Sequence, residues 1–413
     1  MKTNLISDIL SAHDTEQANR ILRSCVHCGF CNATCPTYQI RGDELDGPRG
    51  RIYLIKQMLE GETPSRKTQL HLDRCLTCRN CESTCPSGVE YSHLLNIGRS
   101  VINEKVSRSL FQRLLHFSLR KLFLSKHLFS LLLGSGQLVR PLMPTSIKRS
   151  IPAKQKKLPF EKKSHRKKIL LIAGCVQSDL QPNIDIAAKL VFDKLNIECV
   201  EPASAGCCGS LSHHLNAEEE AIHIIKTNID HWWPSIKSRT VEAICMTASG
   251  CGVAIKEYEQ LLADDKDYAD KARTISALYK DPAEIVAQLL NNDKQTTTKL
   301  LSRQQDNKPV NKNIAFHPPC TLQHGMQLKN VIEPILEACG YTVQNFTDKH
   351  LCCGSAGTYS ITQRKLSQQL LSNKLNNIEK AEPDVIVTAN IGCQLHLQSG
   401  TETPVKHWLE LLL

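Results

Sequence analysis

Apolar positions follow a helical period in the first part of this chain and a mixed strand-and-helix pattern in the last part. Ile52, Leu54, Ile55, Met58 and Leu59 recur at helical spacing and stop before Gly61, which predicts an amphipathic helix closed by glycine. From about Val101 to Met143 the helical pattern returns: Leu110, Phe111, Leu114, Leu115, Leu119, Leu122 and Phe123 alternate with Arg113, Arg120, Lys121 and Lys126. Two readings of that stretch stand: a connecting helical hairpin packing its Leu/Phe face on a neighbouring domain, or an amphipathic surface that meets anionic lipid. From Pro144 to Lys168 the periodicity fades into Pro and Lys clusters, an exposed linker. Short apolar runs then appear at Ile169–Ile172, Ile314–Phe316 and Ile386-Val387, with helical patterns at Ala187–Leu195 and Leu366–Leu375. Strands alternating with helices predict α/β architecture.

Composition and charge sharpen this picture. At 413 residues there is room for two or three domains, and 41% hydrophobic content supports ordinary cores. The net charge of +10 is uneven: Lys105 to Lys168 holds 17 Lys/Arg and one acid, Glu161, leaving 34 basic and 40 acidic residues elsewhere. No run reaches the ~18 apolar residues of a membrane span; the richest, Leu128 to Leu133, is short. Met1 to Asp14 contains Asp8 and no apolar core, so no secretory signal is expected. Nineteen Cys in so long a chain fit free thiolates in a reducing cytosol better than a disulfide scaffold.

The cysteines carry the chemistry. Cys25, Cys28, Cys31 and Cys35 precede Pro36, and Cys75, Cys78, Cys81 and Cys85 precede Pro86. Each is the C-x2-C-x2-C-x3-C-P run of bacterial ferredoxins, in which three thiolates hold a [4Fe–4S] cube and the fourth ligates the other cube. The expected sets are Cys25, Cys28, Cys31 with Cys85, and Cys75, Cys78, Cys81 with Cys35. Zinc sites use separated Cys pairs or Cys with His, so iron is the better reading. The 39 residues between Cys35 and Cys75 include the helical pattern above, predicting a mainly helical two-cluster domain.

The remaining cysteines reveal a repeat. Cys175, Cys207-Cys208-Gly209 and Cys251 match Cys320, Cys352-Cys353-Gly354 and Cys393, the first three shifted by 145 residues and the last by 142. Thr247 to Cys251 likewise echoes Thr388 to Cys393. Adjacent cysteines let two sulfurs face one metal centre, and Gly permits close backbone approach. Cys175, Cys207, Cys208 and Cys251 form a candidate third site; Cys320, Cys352, Cys353 and Cys393 form a candidate fourth. Either could hold an iron–sulfur cluster or zinc. Cys199, Cys245 and Cys339 have no counterpart and are expected to be small packing residues. His317 and His324 flank Cys320 as ligands, proton carriers or, the favoured reading, ordinary polar residues near a loop. His213-His214 reads as a solvated turn.

Together these motifs resemble the iron–sulfur subunits of glycolate oxidase and anaerobic glycerol-3-phosphate dehydrogenase, with lactate-utilisation and heterodisulfide reductase subunits related. The strings Cys25 to Cys31, Gly42 to Arg51, Cys75 to Cys81, Thr247 to Gly252 and His350 to Tyr359 are similar to the glycolate oxidase group in particular. That resemblance implies electron transfer from FAD on partner glycolate oxidase subunits, which oxidise glycolate to glyoxylate, towards a quinone or other acceptor. It also implies a cytoplasmic protein, peripheral on the inner face of the inner membrane. The alternatives are a lactate or glycerol-3-phosphate dehydrogenase subunit, or a Cys-Cys-Gly reductase. Heterodisulfide reductase repeats end in C-x2-C, whereas Cys251 is followed by Gly252-Val253-Ala254 and Cys393 by Gln394-Leu395-His396, so their unusual cluster is not expected here. The resemblance also implies that flavin chemistry and catalytic residues lie on another chain; consistent with this, no G-x-G-x-x-G follows a predicted strand. The basic stretch lies outside the Cys motifs and lacks interleaved aromatics, which argues against nucleic acid.

The expected fold is α+β and multidomain: an α-helical two-cluster ferredoxin domain (1–100), a basic helical connector and linker (101–168), and two repeated α/β cysteine-rich lobes (169–300 and 301–413).

Overall fold

The computed structural model describes residues 1–6, 8–144, 148–149, 151–202, 206–292 and 312–413. The fold is α+β: a helical ferredoxin-like part followed by two α/β repeats. Its residues group into two compact units, Met1–Phe117 with His350–Lys374, and Ser118–Lys349 with Leu375–Leu413. The lobe boundary expected at 300 lies outside the described residues.

In the first unit α1 (Ala12–Ser24), α2 (Phe30–Ala33), α3 (Pro36–Arg41), α4 (Pro48–Leu59), α5 (Arg66–Asp73), α6 (Asn80–Thr84) and α7 (Tyr91–Lys105) follow one another. Ala18, Ile21, Leu22, Ile55, Met58, Leu72, Leu94 and Ile102 share one core. The helix starts are written locally. Ser11 accepts from the Asp14 amide, and Ser65 and Thr68 cap α5 reciprocally. Pro48 sits in the first turn of α4, where its missing N–H costs nothing. Gly61 takes a φ of +103° past the end of α4, as the sequence suggests. Gly50 is needed for packing: a Cβ there would lie 2.1 Å from the Glu44 carbonyl oxygen. The 3-10 turn Glu44–Asp46 can therefore lie flat on α4.

The basic helical stretch resolves into α8 (Leu110–Leu124) and α9 (Lys126–Val139). Leu119 and Phe129 are buried, while Leu110, Phe111, Leu114, Leu131, Leu138 and Leu142 are each at least 65% exposed. Much of the Leu/Phe face is therefore not used for packing within the chain. Among the described residues no single helix is long and apolar enough to cross a membrane.

The second unit holds two parallel sheets. β1 (Lys167–Leu171) lies between β2 (Ile197–Val200) and β3 (Ala243–Cys245), with Lys167 opposite Ile197 and Leu171 opposite Cys245. β4 (Asn313–His317) lies between β5 (Thr342–Gln344) and β6 (Val385–Thr388), and β7 (Val405–His407) extends the second sheet beyond β6. His317 stands opposite Thr388, and Thr388 opposite His407. Both sheets share a continuous core with Val191, Phe192, Trp232, Ile244, Phe316, Val387 and Trp408. The repeated segments meet within this unit. The Ser249 hydroxyl lies 2.8 Å from that of Thr321, the Asn390 amide donates to Ser249, and His407 bonds the Thr247 carbonyl oxygen. The cysteines expected to matter follow strand ends in both repeats, where open α/β sheets place ligands.

Candidate metal centres

The two ferredoxin runs fold as near-duplicates. Cys25 and Cys75 each close a helix by donating their amide to a carbonyl three residues earlier, Leu22 and Leu72. His27 and Gly29 take left-handed conformations, as do Thr77 and Arg79 at the matching positions. α2 and α6 then begin, and the Cys35 and Cys85 amides donate to Asn32 and Glu82. The alternating left-handed residues coil each loop so that its three sulfurs turn inward.

Cys25, Cys28, Cys31, Cys81 and Cys85 line one cavity of about 430 Å³, with Val26, Ile52 and Val89. Cys35, Cys75, Cys78 and Cys81 line a second, of about 300 Å³, with Thr37, Arg51, Arg79 and Tyr91. Cys85 thus stands with the first run and Cys35 with the second. Burial, reinforced by Cys25, Cys85 and Cys28, pushes the Cys31 thiol up to about 11. Cys81 is raised by burial and by Cys78, Cys75 and Cys35. Four such sulfurs repel one another when ionised, and a polycationic iron core relieves that repulsion. Cys25, Cys35 and Cys81 are buried whereas Cys28 is exposed, and all are free thiols, so the donor sets fit cubane clusters.

A polar network backs the second cavity. Asp46, wholly buried, accepts from Arg74 Nη1 at 2.9 Å, meets His71 Nδ1 at 3.0 Å, and lies 3.6 Å from Arg51 Nη2. Arg51 is 1% exposed; it donates to the His71 carbonyl oxygen at 2.7 Å and, through both terminal nitrogens, to Thr37 Oγ1 at 3.2 Å. Thr37 donates to the Asp46 carbonyl oxygen, and its oxygen lies 3.3 Å from Cys35 Sγ. Tyr91 Oη donates to Cys75 Sγ at 3.6 Å. Burial opposes the Arg51 charge, but Cys75, Tyr91, Cys35 and Asp46 outweigh it and hold the guanidinium above its usual range. Of this network the sequence pattern marks Cys35 and Cys75 alone, and gives Thr37, Asp46, Arg51, His71, Arg74 and Tyr91 no role. A charged residue inside an apolar helix pattern was the one signal at Arg51.

The first repeat gathers its four cysteines. Cys207 and Cys208 are buried, with Cys175 and Cys251 packed against them. Thiols of Cys175 and Cys208 donate towards Cys207, and the Gly209 and Leu211 amides also point to it, holding its ionisation low. Hydrogen bonding to Cys207, then to Cys251, raises Cys208. The loop is pinned from behind: Asn228 donates to the Cys207 carbonyl oxygen at 2.7 Å and Tyr258 to that of Cys208 at 2.9 Å. Gly209, at φ +89°, makes the turn. Four convergent sulfurs suit iron or zinc.

The second repeat is distributed differently. Cys320 and Cys393 belong to the second unit, and Cys352 and Cys353 to the first. Cys320 is buried beyond β4 and leads into the π-helical turn Thr321–Gly325. A His317 ring nitrogen and the Cys393 sulfur lie within 4.8 Å. His317 is wholly buried and His324 nearly so. The Cys352-Cys353 turn depends on Gly354, at φ +93°, where a Cβ would approach the Ser367 carbonyl oxygen to 2.6 Å. Cys245 and Cys339 are buried in the sheet core, and Cys199 packs against it. His213 bonds Glu218 at 2.8 Å beside exposed His214.

Comparisons with known proteins agree with this layout. Residues 21–89 match the 4Fe-4S dicluster domain, and 169–256 and 314–398 each match the cysteine-rich domain. The chain is 47% identical over 413 residues to the glycolate oxidase iron-sulfur subunit of Escherichia coli (strain K12), covering 100% of this chain and 98% of that protein. It is 28% identical over 416 residues to the probable glycolate oxidase iron-sulfur subunit of Bacillus subtilis (strain 168), covering 92% and 89%. Similarity to lactate utilization protein A of Bacillus pumilus (strain SAFR-032) is 23% over 232 residues, covering 56% of this chain and 90% of that protein.

Proposed function

The chain belongs to the family of glycolate oxidase iron–sulfur subunits, and we propose the ligands, partners and location through which it works. It is the electron-transfer subunit of an oxidoreductase, carrying iron–sulfur clusters. One cluster is held by Cys25, Cys28, Cys31 and Cys85, and the other by Cys75, Cys78, Cys81 and Cys35. The observation that carries this reading is the sharing of one cavity by Cys85 and the first run, and of the other by Cys35 and the second run. The Cys175 set and the Cys320 set hold further metal, a cluster or zinc. FAD on a partner subunit would supply the two-electron oxidation of glycolate, and the cysteine sets named above would hold the clusters that carry its electrons singly towards a quinone or other acceptor. Lactate is the weaker alternative substrate, since the lactate utilization relative shares only 56% of this chain.

The division into 1–100, 101–168, 169–300 and 301–413 belongs to the same reading as a functional partition, the first part storing electrons and the last two relaying them. So does a peripheral seat on the cytoplasmic face of the inner membrane, supported by the 17 basic residues between Lys105 and Lys168.

Cys35→Ser tests the crossed ligation. In anaerobically purified protein it should perturb mainly the electron paramagnetic resonance signal of the cluster held by Cys75, Cys78 and Cys81. A change confined to the other cluster would overturn the assignment. Anaerobic metal analysis tests the repeats: iron sufficient for only two cubes, with no zinc, would sink their metal-binding role.

A further inference from the structure

The two ferredoxin-type sites are chemically unequal, and the difference lies behind the sulfurs. At the second site Arg51 is sealed from water and stands among Cys35, Cys75 and Tyr91. An arginine never loses its proton in a protein, so this charge is permanent. Asp46 does not cancel it alone, because the same carboxylate also takes Arg74 at 2.9 Å and Arg41 at 3.5 Å. Arg79 adds another cation to the cavity wall. One hydroxyl donates to a ligand sulfur, that of Tyr91 to Cys75; Thr37 gives its hydrogen to the Asp46 carbonyl oxygen and accepts from both terminal nitrogens of Arg51, so beside Cys35 it serves to hold the guanidinium in place.

The first site has weaker counterparts. Arg49 is 37% exposed at its side chain and paired with Glu44 at 2.6 Å. The Met1 amine donates to the Cys25 carbonyl oxygen from a partly exposed position. The Cys31 sulfur lies 4.0 Å from the Asn32 side-chain oxygen, and at Cys25 the hydrogen bond comes from the His27 backbone amide; among the described residues no side-chain hydroxyl donates to these sulfurs. Val26, Ile52, Pro86 and Val89 supply much of the remaining wall; Tyr91 reaches this cavity as well, but its hydroxyl goes to Cys75 of the second run.

Adding an electron to a cluster makes it more negative, so a buried cation and hydrogen bonds to sulfur favour the reduced form. Exclusion of water around Arg51 strengthens the effect relative to a cation in solvent. We propose that Arg51, with Tyr91 and Thr37, holds the reduction potential of the cluster at Cys75, Cys78, Cys81 and Cys35 above that of the cluster at Cys25, Cys28, Cys31 and Cys85. This rests on the ligand sets proposed above. One electron then passes from the reduced first cluster to the oxidised second; no bond forms or breaks and no proton moves. The first site, with exposed Cys28, is the entry point, and the second is the sink. Arg51, Tyr91 and Thr37 are positioning residues acting through the cluster's electrostatic surroundings.

The test is a redox titration of the anaerobically reconstituted full-length chain, followed by electron paramagnetic resonance. Cys35→Ser identifies the second cluster's signal. Two midpoints are expected, the second cluster's being the higher. Tyr91→Phe removes one hydroxyl and should lower the second midpoint while leaving the first and the iron content unchanged. Arg51→Met should lower it further; if that variant fails to retain iron, Tyr91→Phe and Thr37→Val decide the matter. Coincident midpoints, a higher first midpoint, or hydroxyl variants that leave both unmoved would overturn the inference while sparing the ligand sets. Loss of only one four-iron signal from the parent protein's expected pair would overturn those sets and this inference with them.

Discussion

Asp281 carries a cost at neutral pH that its position makes unavoidable. It caps the helix Pro282–Asn292, accepting from the Ala283 amide at 2.9 Å, while Glu284 accepts from its own amide at 2.8 Å. Burial pushes the carboxyl up to about 7, against the Ala283 bond and Lys256, which pull it down, and with Glu284, which adds to the rise. Between about pH 4 and 7 the folded protein therefore binds a proton that the unfolded chain has released, and stability falls as pH rises through that window. Asparagine caps equally well and stays neutral. Asp281→Asn should raise the thermal unfolding midpoint at pH 8, by roughly 4 kcal/mol in stability from the linkage, with the gain vanishing towards pH 4. A constant gain at all pH values would contradict the assigned protonation. His407 has the opposite sign. Burial above all holds it down to about 4 despite bonds to the Thr247 and Ala389 carbonyls, so acid binds the unfolded chain first below about pH 6.5 and destabilises the fold. In the parent protein the two partly cancel, and the variant should show the steeper acid loss.

At the scale of elements, α8 and α9 decide whether the basic stretch is a connector or a surface. Arg120 and Lys121 are engaged with Glu220 at 3.0 and 3.4 Å, so they hold α8 to its neighbour within the second unit. Arg113 and Lys126 are exposed, as are Lys154, Lys156 and Lys157 in the linker. Each basic residue near an anionic surface contributes about 1 kcal/mol. Replacing those five with Gln should release the assembled complex from anionic liposomes at a salt concentration where the parent still floats, with cluster content unchanged. Flotation at the same salt would show that the stretch is no anchor. The Leu/Phe periodicity gave the helices but not which face is covered, because an amphipathic pattern is the same whether its partner is protein or lipid. The linker at 145–147 and 150 lies outside the described residues. The strands were legible for a firmer reason: Ile169–Ile172, Ile314–Phe316 and Ile386-Val387 sit inside β1, β4 and β6 or at their ends. β7 was not, since Val405-Lys406-His407 is too short to show a period. The ferredoxin ligand runs declared themselves through spacing alone, whereas Thr37, Asp46, Arg51 and Tyr91 meet only after α4, α5 and α7 have packed.

Across the whole molecule, the repeats are joined by the end of the chain. Trp408, Leu409, Leu411 and Leu412 are buried in the core of the second unit. Lys194, at the end of the helix Pro182–Lys194, donates to the Leu412 carbonyl oxygen at 2.8 Å. The last residues of the second repeat thereby close the first. Trp408→Ala should cost about 3 to 5 kcal/mol and lower the urea midpoint of the unit that contains both sheets. A shift of less than 1 kcal/mol would mean that the second sheet stands without this clasp. The doubled cysteine pattern predicted two similar lobes, and the sheets bear out the similarity; their shared core was invisible because spacing records what each repeat contains, not what it leans on.

The first unit is discontinuous, and that has a consequence in time. Tyr359, returning to it with His350–Lys374, donates to the Arg74 carbonyl oxygen at 3.1 Å, and Asn80 donates to that of His350 at 3.3 Å. During synthesis everything from Ser118 to Lys349 must be made first, which at about 5 to 20 residues per second takes roughly 10 to 50 s. Throughout that interval the loop of Cys75, Cys78 and Cys81 has left the ribosome without the segment that closes over its flank. The part of the molecule begun first is among the last to be finished.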